Sequence, residues 1–246
     1  MSSFVHLHTH SHYSLLNALP TVRELVEAAK RNDMNALALT DNGNLYGAIE
    51  FYQTCKKEGI KPIIGIDAYL APRTRHDRES TTDKPRARVV LLAKNVDGYK
   101  NLIKLVTDSY LNGFYYRPRL DHESIEQYKD NLLCIIPSFA GETSHALKAG
   151  DTEKAHALTA WYKTQFGTDC YFEITHHPEI PGHAALQKKI QVLAEHTHTP
   201  LVAAHDVYYI NPEDRLARET LVKIQTGGVV ETTNEFEEHE EDFSFI

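Results

Sequence analysis

Strand-like and helix-like segments alternate along nearly the whole chain, and this restricts it to an α/β fold with helices covering a parallel sheet. The β-rich "SFVHLH" precedes "TVRELVEAAKRNDM", whose apolar residues fall at helical spacing, with Thr21 placed to cap the helix ahead of Glu24. "NALALT" reads as a buried strand ending in the turn "DNGN", and "LYGAIEFYQTCKKEG" as a helix closed by Gly59. The strands "KPIIGIDAYLA" and "ARVVLLAKN" flank a polar stretch, Pro72 to Arg86, expected to be an exposed loop. "GYKNLIKLVTDSYLNG" is helical, "NLLCIIPS" and "DCYFEIT" are strands around helical segments, and "GHAALQKKIQVLAEHT" is a helix. "PLVAAHDVYY" is a last strand and "PEDRLARETLVKIQTG" a last helix. About seven strand–helix units favour a closed or nearly closed barrel over an open sheet. Functional residues then gather at the C-terminal ends of strands, where His8, His10, Asp41, Asp67, Ser138 and Asp206 fall.

Composition excludes several classes. No apolar run approaches the ~18 residues of a membrane span, and no basic segment with an apolar core opens the chain. Cys55, Cys134 and Cys170 are far apart and odd in number, which suits buried thiols in a reducing cytoplasm. A net charge of −8 argues against this chain gripping nucleic acid by itself, because phosphate contacts need clustered Lys and Arg. Fifteen histidines are the outlier, and four of them, His6, His8, His10 and His12, alternate in "VHLHTHSHYSLLNA". An H-x-H pair at a strand end can present two imidazoles to one metal, with carboxylates from other strands completing the shell. A wet strand edge accounts for the pattern equally well on these residues alone.

"FVHLHTHSHYSLLNA", "ALALTDNGNLYGAIEFY", "GIKPIIGIDAYLA", "VVLLAKNVDGYKNLIKL", "GFYYRPRLD", "PLVAAHDVYYINPED" and "LVKIQTG" together resemble the PHP (polymerase and histidinol phosphatase) domain. More narrowly, they resemble the PHP domains that open bacterial replicative DNA polymerase III alpha subunits. The resemblance runs from about Phe4 to Gly227. It implies a distorted (β/α)7 barrel over residues 1–228, with 229–246 an acidic connector toward a polymerase region beyond the chain. Read without the resemblance, "ETTNEFEEHEED" followed by "FSFI" is a solvated tail or a connector whose partner is missing.

Members of this family hold up to three metal ions. Mapped onto their motif, His8 and His10 are the histidine pair, Asp67 stands for the bridging Glu and Asp206 for the late Asp. These four make a candidate single-ion set for Zn, Mn or Fe, and an empty centre is the alternative. The remaining positions are degenerate: Asn17, Asn42, Arg88, Ser138 and Tyr208 replace acids, histidines and a Cys or His. A guanidinium cannot ligate a metal. Arg88 could instead stand in for a missing cation between Asp67 and Asp206, or simply project to solvent.

The resemblance therefore implies a structural and interaction module in DNA replication, without working catalytic residues of its own. It implies as partners the rest of the polymerase chain and the proofreading exonuclease subunit, with DNA reached only through the full polymerase. A rival reading is an active metal-dependent 3′→5′ exonuclease or phosphoesterase, with His12 or His205 recruited to the shell. A free-standing histidinol phosphatase fits poorly, because "GYKNL" and "GFYYRPRLD" are polymerase-type blocks. Other residues are expected to serve structure: Tyr115, Tyr116, Arg117 and Arg119 as packing more than single-strand binding, and His176, His177, His196 and His198 as surface histidines.

Overall fold

The computed structural model describes residues 4–225 and 242–245. In chain order its elements are β1 (His8–Thr9), α1 (Val22–Arg31), β2 (Ala36–Leu39), α2 (Ala48–Glu58), β3 (Lys61–Leu70) and β4 (Ala87–Ala93). There follow α3 (Val96–Leu111), β5 (Arg119–Leu120), α4 (His122–Tyr128), β6 (Leu132–Ile136), α5 (Glu142–Lys148) and α6 (Thr152–Phe166). The described chain closes with β7 (Cys170–Ile174), α7 (His183–Thr197), β8 (Leu201–Ala203), β9 (Asp206–Val207) and α8 (Arg215–Gln225).

Local signals set the element ends. Thr21 Oγ1 accepts from the Glu24 backbone N–H while Glu24 Oε2 accepts from that of Thr21, so the capping box expected at α1 forms. Gly59 takes φ +77° and lets its N–H return to Cys55 O, which stops α2.

The large sheet runs β2-β3-β4-β6-β7-β8 with β5 beside β3, while β1 and β9 form a second pair. The two sheets join into one ring. Ala38 and Thr40 donate backbone N–H bonds to His6 O and Thr9 O, which ties β1 to β2. At the other edge, β8 pairs with β7, and two residues later β9 pairs with β1, His8 opposite Asp206. One strand thus switches partners and closes a distorted β/α barrel. Ala38, Val90, Leu92 and Ile135, from β2, β4 and β6, cluster as a small apolar core with Leu7, Ile63, Leu133 and Val202 packed on it. A larger core lies under α3, α6 and α7, and another between α1 and α2.

Three expectations need correction. The sheet is not wholly parallel: β4 runs antiparallel to both β3 and β6. This reversal carries the N-terminal end of β4 to the rim where β3 ends, so Arg88 lies opposite Tyr69 and Val90 opposite Asp67. Secondly, residues 242–245 are not a solvated tail. Phe243, Ser244 and Phe245 are buried, with Tyr208 N–H donating to Phe243 O and Phe245 N–H to Ile210 O. The rest of the acidic stretch lies outside the described residues. Thirdly, His177 is buried, packed against His205, His183 and Phe243, whereas His176, His196 and His198 are exposed as expected.

Within "GFYYRPRLD", Arg119 has a structural role. Arg119, fully buried on β5, donates to the carbonyls of Gly113, Asp83, Arg75 and Asp77. It thereby pins the loop from Pro72 to Arg86. That loop is mostly exposed, yet Asp83 is buried and accepts two bonds from Arg73.

Candidate metal centre

Alternation within the strands aims the candidate residues at one point. On β3, Gly65, Asp67 and Tyr69 share a face and lie opposite Leu92, Val90 and Arg88 of β4. Leu92 and Val90 belong to the small cluster inside the barrel, so Asp67 and Arg88 continue that inward face at its upper rim. His8 and His10 flank Thr9 on β1, and the β1–β9 pairing sets Asp206 beside them.

The four candidate ligands converge. His8 Nε2 lies 3.3 Å from Asp67 Oδ2 and 3.4 Å from Asp206 Oδ1. His10 Nε2 lies 3.2 Å from Asp67 Oδ2, and its Nδ1 3.1 Å from Asp206 Oδ1. Each histidine is oriented from behind. His8 Nδ1–H donates to Glu173 Oε2 at 3.3 Å, and His10 Nδ1 is 3.1 Å from Val207 O. With the Nδ1 proton held in this way, Nε2 of each ring is turned toward the Asp67 carboxylate, His10 Nε2 within hydrogen-bond distance of it. Glu173 was not singled out from the sequence. A carboxylate within the apolar run "CYFEI", buried and lying opposite Val202, is the signal that could have found it.

The degenerate positions also find definite places. Arg88 Nη2 lies 2.8 Å from Asp67 Oδ2 and donates to Tyr208 Oη at 3.1 Å. Tyr208 stacks flat on His10, with ring centroids 4.3 Å apart and planes 4° apart. Asn42 is buried, and neither atom of its amide has a hydrogen-bond partner among the described residues. Asn17 and Asn42 line one cleft at the rim. Ser138 is taken up elsewhere, bonded to Thr175 Oγ1 at 2.9 Å. Asp41 is not offered to the centre either: it accepts bonds from Ser11 N–H and from the Ser11 and Ser14 hydroxyls, fixing the turn after the histidine pair. His12 sits outside the cluster, against the ring of Tyr13, and His6 Nε2 donates to Phe245 O.

Burial here opposes every charge, and the neighbours decide each case. Desolvation disfavours protonated His8, but Asp206 and Glu173 outweigh it and hold its pKa well above the ordinary imidazole value. Burial likewise disfavours ionised Asp67, yet Arg88, His10 and His8 keep its carboxyl well below the usual range. Asp206 is held down similarly by His8, His10 and, more weakly, Arg88.

The residues fit one small cation. His8, His10 and Asp206 each bring a ligand atom within 4.8 Å of the others, and His8 Nε2 and Asp206 Oδ1 are buried without hydrogen-bond partners among the described residues. Beside them, the Arg88 guanidinium, which cannot ligate a metal, already engages Asp67.

A family model for the PHP domain matches residues 6–177. The chain belongs to the PHP domain family. DNA polymerase III subunit alpha of Borreliella burgdorferi is 41% identical to this PHP domain over 227 residues, covering 92% of the chain and 20% of that relative. The subunits of Treponema pallidum and Aquifex aeolicus are 40% and 37% identical, covering 91% and 90% of the chain and 19% and 20% of the relatives. The domain is thus homologous to the N-terminal region of DNA polymerase III alpha subunits, and the chain spans about one fifth of their length.

Solved structures share the fold. A metal-dependent phosphoesterase from Bifidobacterium adolescentis superposes with a TM-score of 0.53 at 11% identity, covering 84% of this chain and 88% of that one. An amidohydrolase from Chromobacterium violaceum gives 0.50 at 13%, covering 83% and 87%. No helix among the described residues is long and apolar enough to cross a membrane.

Proposed function

We propose that this PHP domain is a non-hydrolytic structural module at the start of a replicative DNA polymerase III alpha chain. In this reading it holds the polymerase region that follows and offers a docking face to the proofreading exonuclease. The observation that carries it is the Arg88–Asp67 pair. Phosphoester hydrolysis in a multi-metal site needs clustered cations to acidify a bridging water and clamp the scissile phosphate. Here a side-chain cation engages the carboxylate that would bridge them. His8, His10 and Asp206, with Asp67 released from Arg88, form the set that would hold a single Zn²⁺, Mn²⁺ or Fe ion. Such an ion would supply an acidified water but no phosphate clamp. The role of the chain's own residues is therefore to hold β1, β3, β4 and β9 together at the rim.

The test is an assay for metal-dependent 3′→5′ exonuclease and phosphomonoesterase activity, comparing the wild type with Asp206→Asn. No metal-dependent rate above that of Asp206→Asn is expected. A rate that collapses in the variant overturns the reading. Co-migration of the full alpha chain with the exonuclease subunit, lost on removal of this domain, tests the docking role.

A further inference from the structure

Three guanidinium groups converge on one aromatic ring just outside the centre. The Cζ atoms of Arg88, Arg86 and Arg117 lie 4.8, 5.9 and 5.9 Å from the centroid of Tyr69. Arg88 is neutralised by Asp67. Arg86 and Arg117 form no ion pair and no side-chain hydrogen bond among the described residues, and Arg86 Nη1 is buried without a partner. Other arginines nearby are saturated: Arg73 is paired with Asp83, Arg75 with Asp108, Asp121 and Glu123, and Arg119 is bonded to four carbonyls.

Two unpaired cations held close together in a chain of net charge −8 are locally unfavourable unless an anion joins them. Guanidinium forks match the paired oxygens of a phosphate. Tyr69 and Arg117 also line a solvent-open cleft of about 130 Å³ shared with Tyr46, Tyr110 and Asn42. Tyr46 is exposed, its hydroxyl 3.2 Å from that of Tyr110, and tyrosine faces at such a cleft can stack a base.

We infer that Arg86 and Arg117, set against Tyr69, bind the phosphate group of a nucleotide or of single-stranded DNA whose base enters the adjoining tyrosine-lined cleft. No bond is made or broken there, and none of His8, His10, Asp67 or Asp206 takes part. The inference therefore stands whether or not the centre hydrolyses anything.

The experiment is titration of the whole chain, in chelator and at low ionic strength. Inorganic phosphate, thymidine 5′-monophosphate and an oligothymidylate without terminal phosphate serve as three separate probes. Saturable binding of at least one probe is expected, weakened about tenfold or more in Arg86→Ala/Arg117→Ala. Preference for phosphate and the mononucleotide assigns a small-anion site, while preference for the oligonucleotide, falling steeply with salt, assigns single-stranded DNA. Circular dichroism checks that the double variant is folded. If it is not, Arg117→Ala and Arg86→Lys, which removes the fork but keeps the charge, carry the comparison. Absence of saturable binding by all three probes, or variants that bind like the wild type, overturns the inference.

Discussion

The Arg88 guanidinium reaches the Asp67 carboxylate across an antiparallel strand pair, Nη2 to Oδ2 at 2.8 Å, in the middle of an otherwise histidine-lined rim. The pair exists because β4 runs against its neighbours. Had β4 been parallel, Arg88 would sit at the opposite end of the barrel and Asp67 would lack its closest cation.

This pair should be needed for stability. Arg88→Met leaves a fully buried carboxylate with only the two histidines to balance it, at a cost of about 3–5 kcal/mol. Urea denaturation should show that loss, and added Zn²⁺ should stabilise the variant more than the wild type. A variant as stable as the wild type, with no response to zinc, would show that Arg88 is not acting as the resident cation.

Stability should fall as the solution is acidified from pH 6.5 to pH 4, in part through His6. Burial lowers its pKa from 6.5 to about 4, against a weaker opposing effect of its bond to Phe245 O. Within that window the unfolded chain takes up a proton that the folded chain refuses, so stability drops by roughly 3 kcal/mol on descending through it. Asp67 and Asp206, held below the usual range, add their loss at still lower pH. His8 works in the other direction: its contribution is complete below pH 6.5 and disappears as pH rises through its elevated folded value. Denaturation midpoints measured across pH 4–6.5 should show a shallower slope in His6→Gln.

Removing the Phe245 ring should release the end of the chain. The side chain is buried in the cluster formed with α1 and α2 and lies 4.3 Å, centroid to centroid, from His6. Phe245→Ala should cost about 3–5 kcal/mol. It should also speed amide exchange at Tyr208 and Phe245, whose N–H groups bond across this junction. Unchanged protection at both amides would mean that the segment is held by other contacts.

The barrel was legible in the sequence because it follows from local pattern, whereas the set of His8, His10, Asp67 and Asp206 came from the resemblance to the family motif; strand-end position alone offered Asp41 and Ser138 as well. Strand–helix alternation sets the architecture, and a short polar motif at each strand end marks the rim. The direction of β4 was not legible, since Ala87–Ala93 has the same apolar run whichever way it pairs. Glu173 escaped because its importance lies in a contact across the ring with His8, 165 residues away. His177 was misjudged for a similar reason: a histidine pair in a loop looks solvated until Phe243, from the far end of the chain, covers one of the two. In each case the missing information is non-local pairing.

Arg119 should prove a structural residue and not a nucleic-acid contact. Its buried guanidinium satisfies four carbonyls from the loops around it, so Arg119→Met should cost several kcal/mol by orphaning them. Proteolysis should then cut more readily between Pro72 and Arg86. A variant with wild-type stability and wild-type resistance to cleavage would contradict this role.

The central claim is that a side-chain cation has replaced most of the metal at this centre. Elemental analysis of protein purified without chelator tests it most directly. The account predicts at most one transition-metal ion per chain, bound through His8, His10 and Asp206 and removable by chelator without unfolding. Two to three ions per chain, lost together with the fold on chelation, would contradict it.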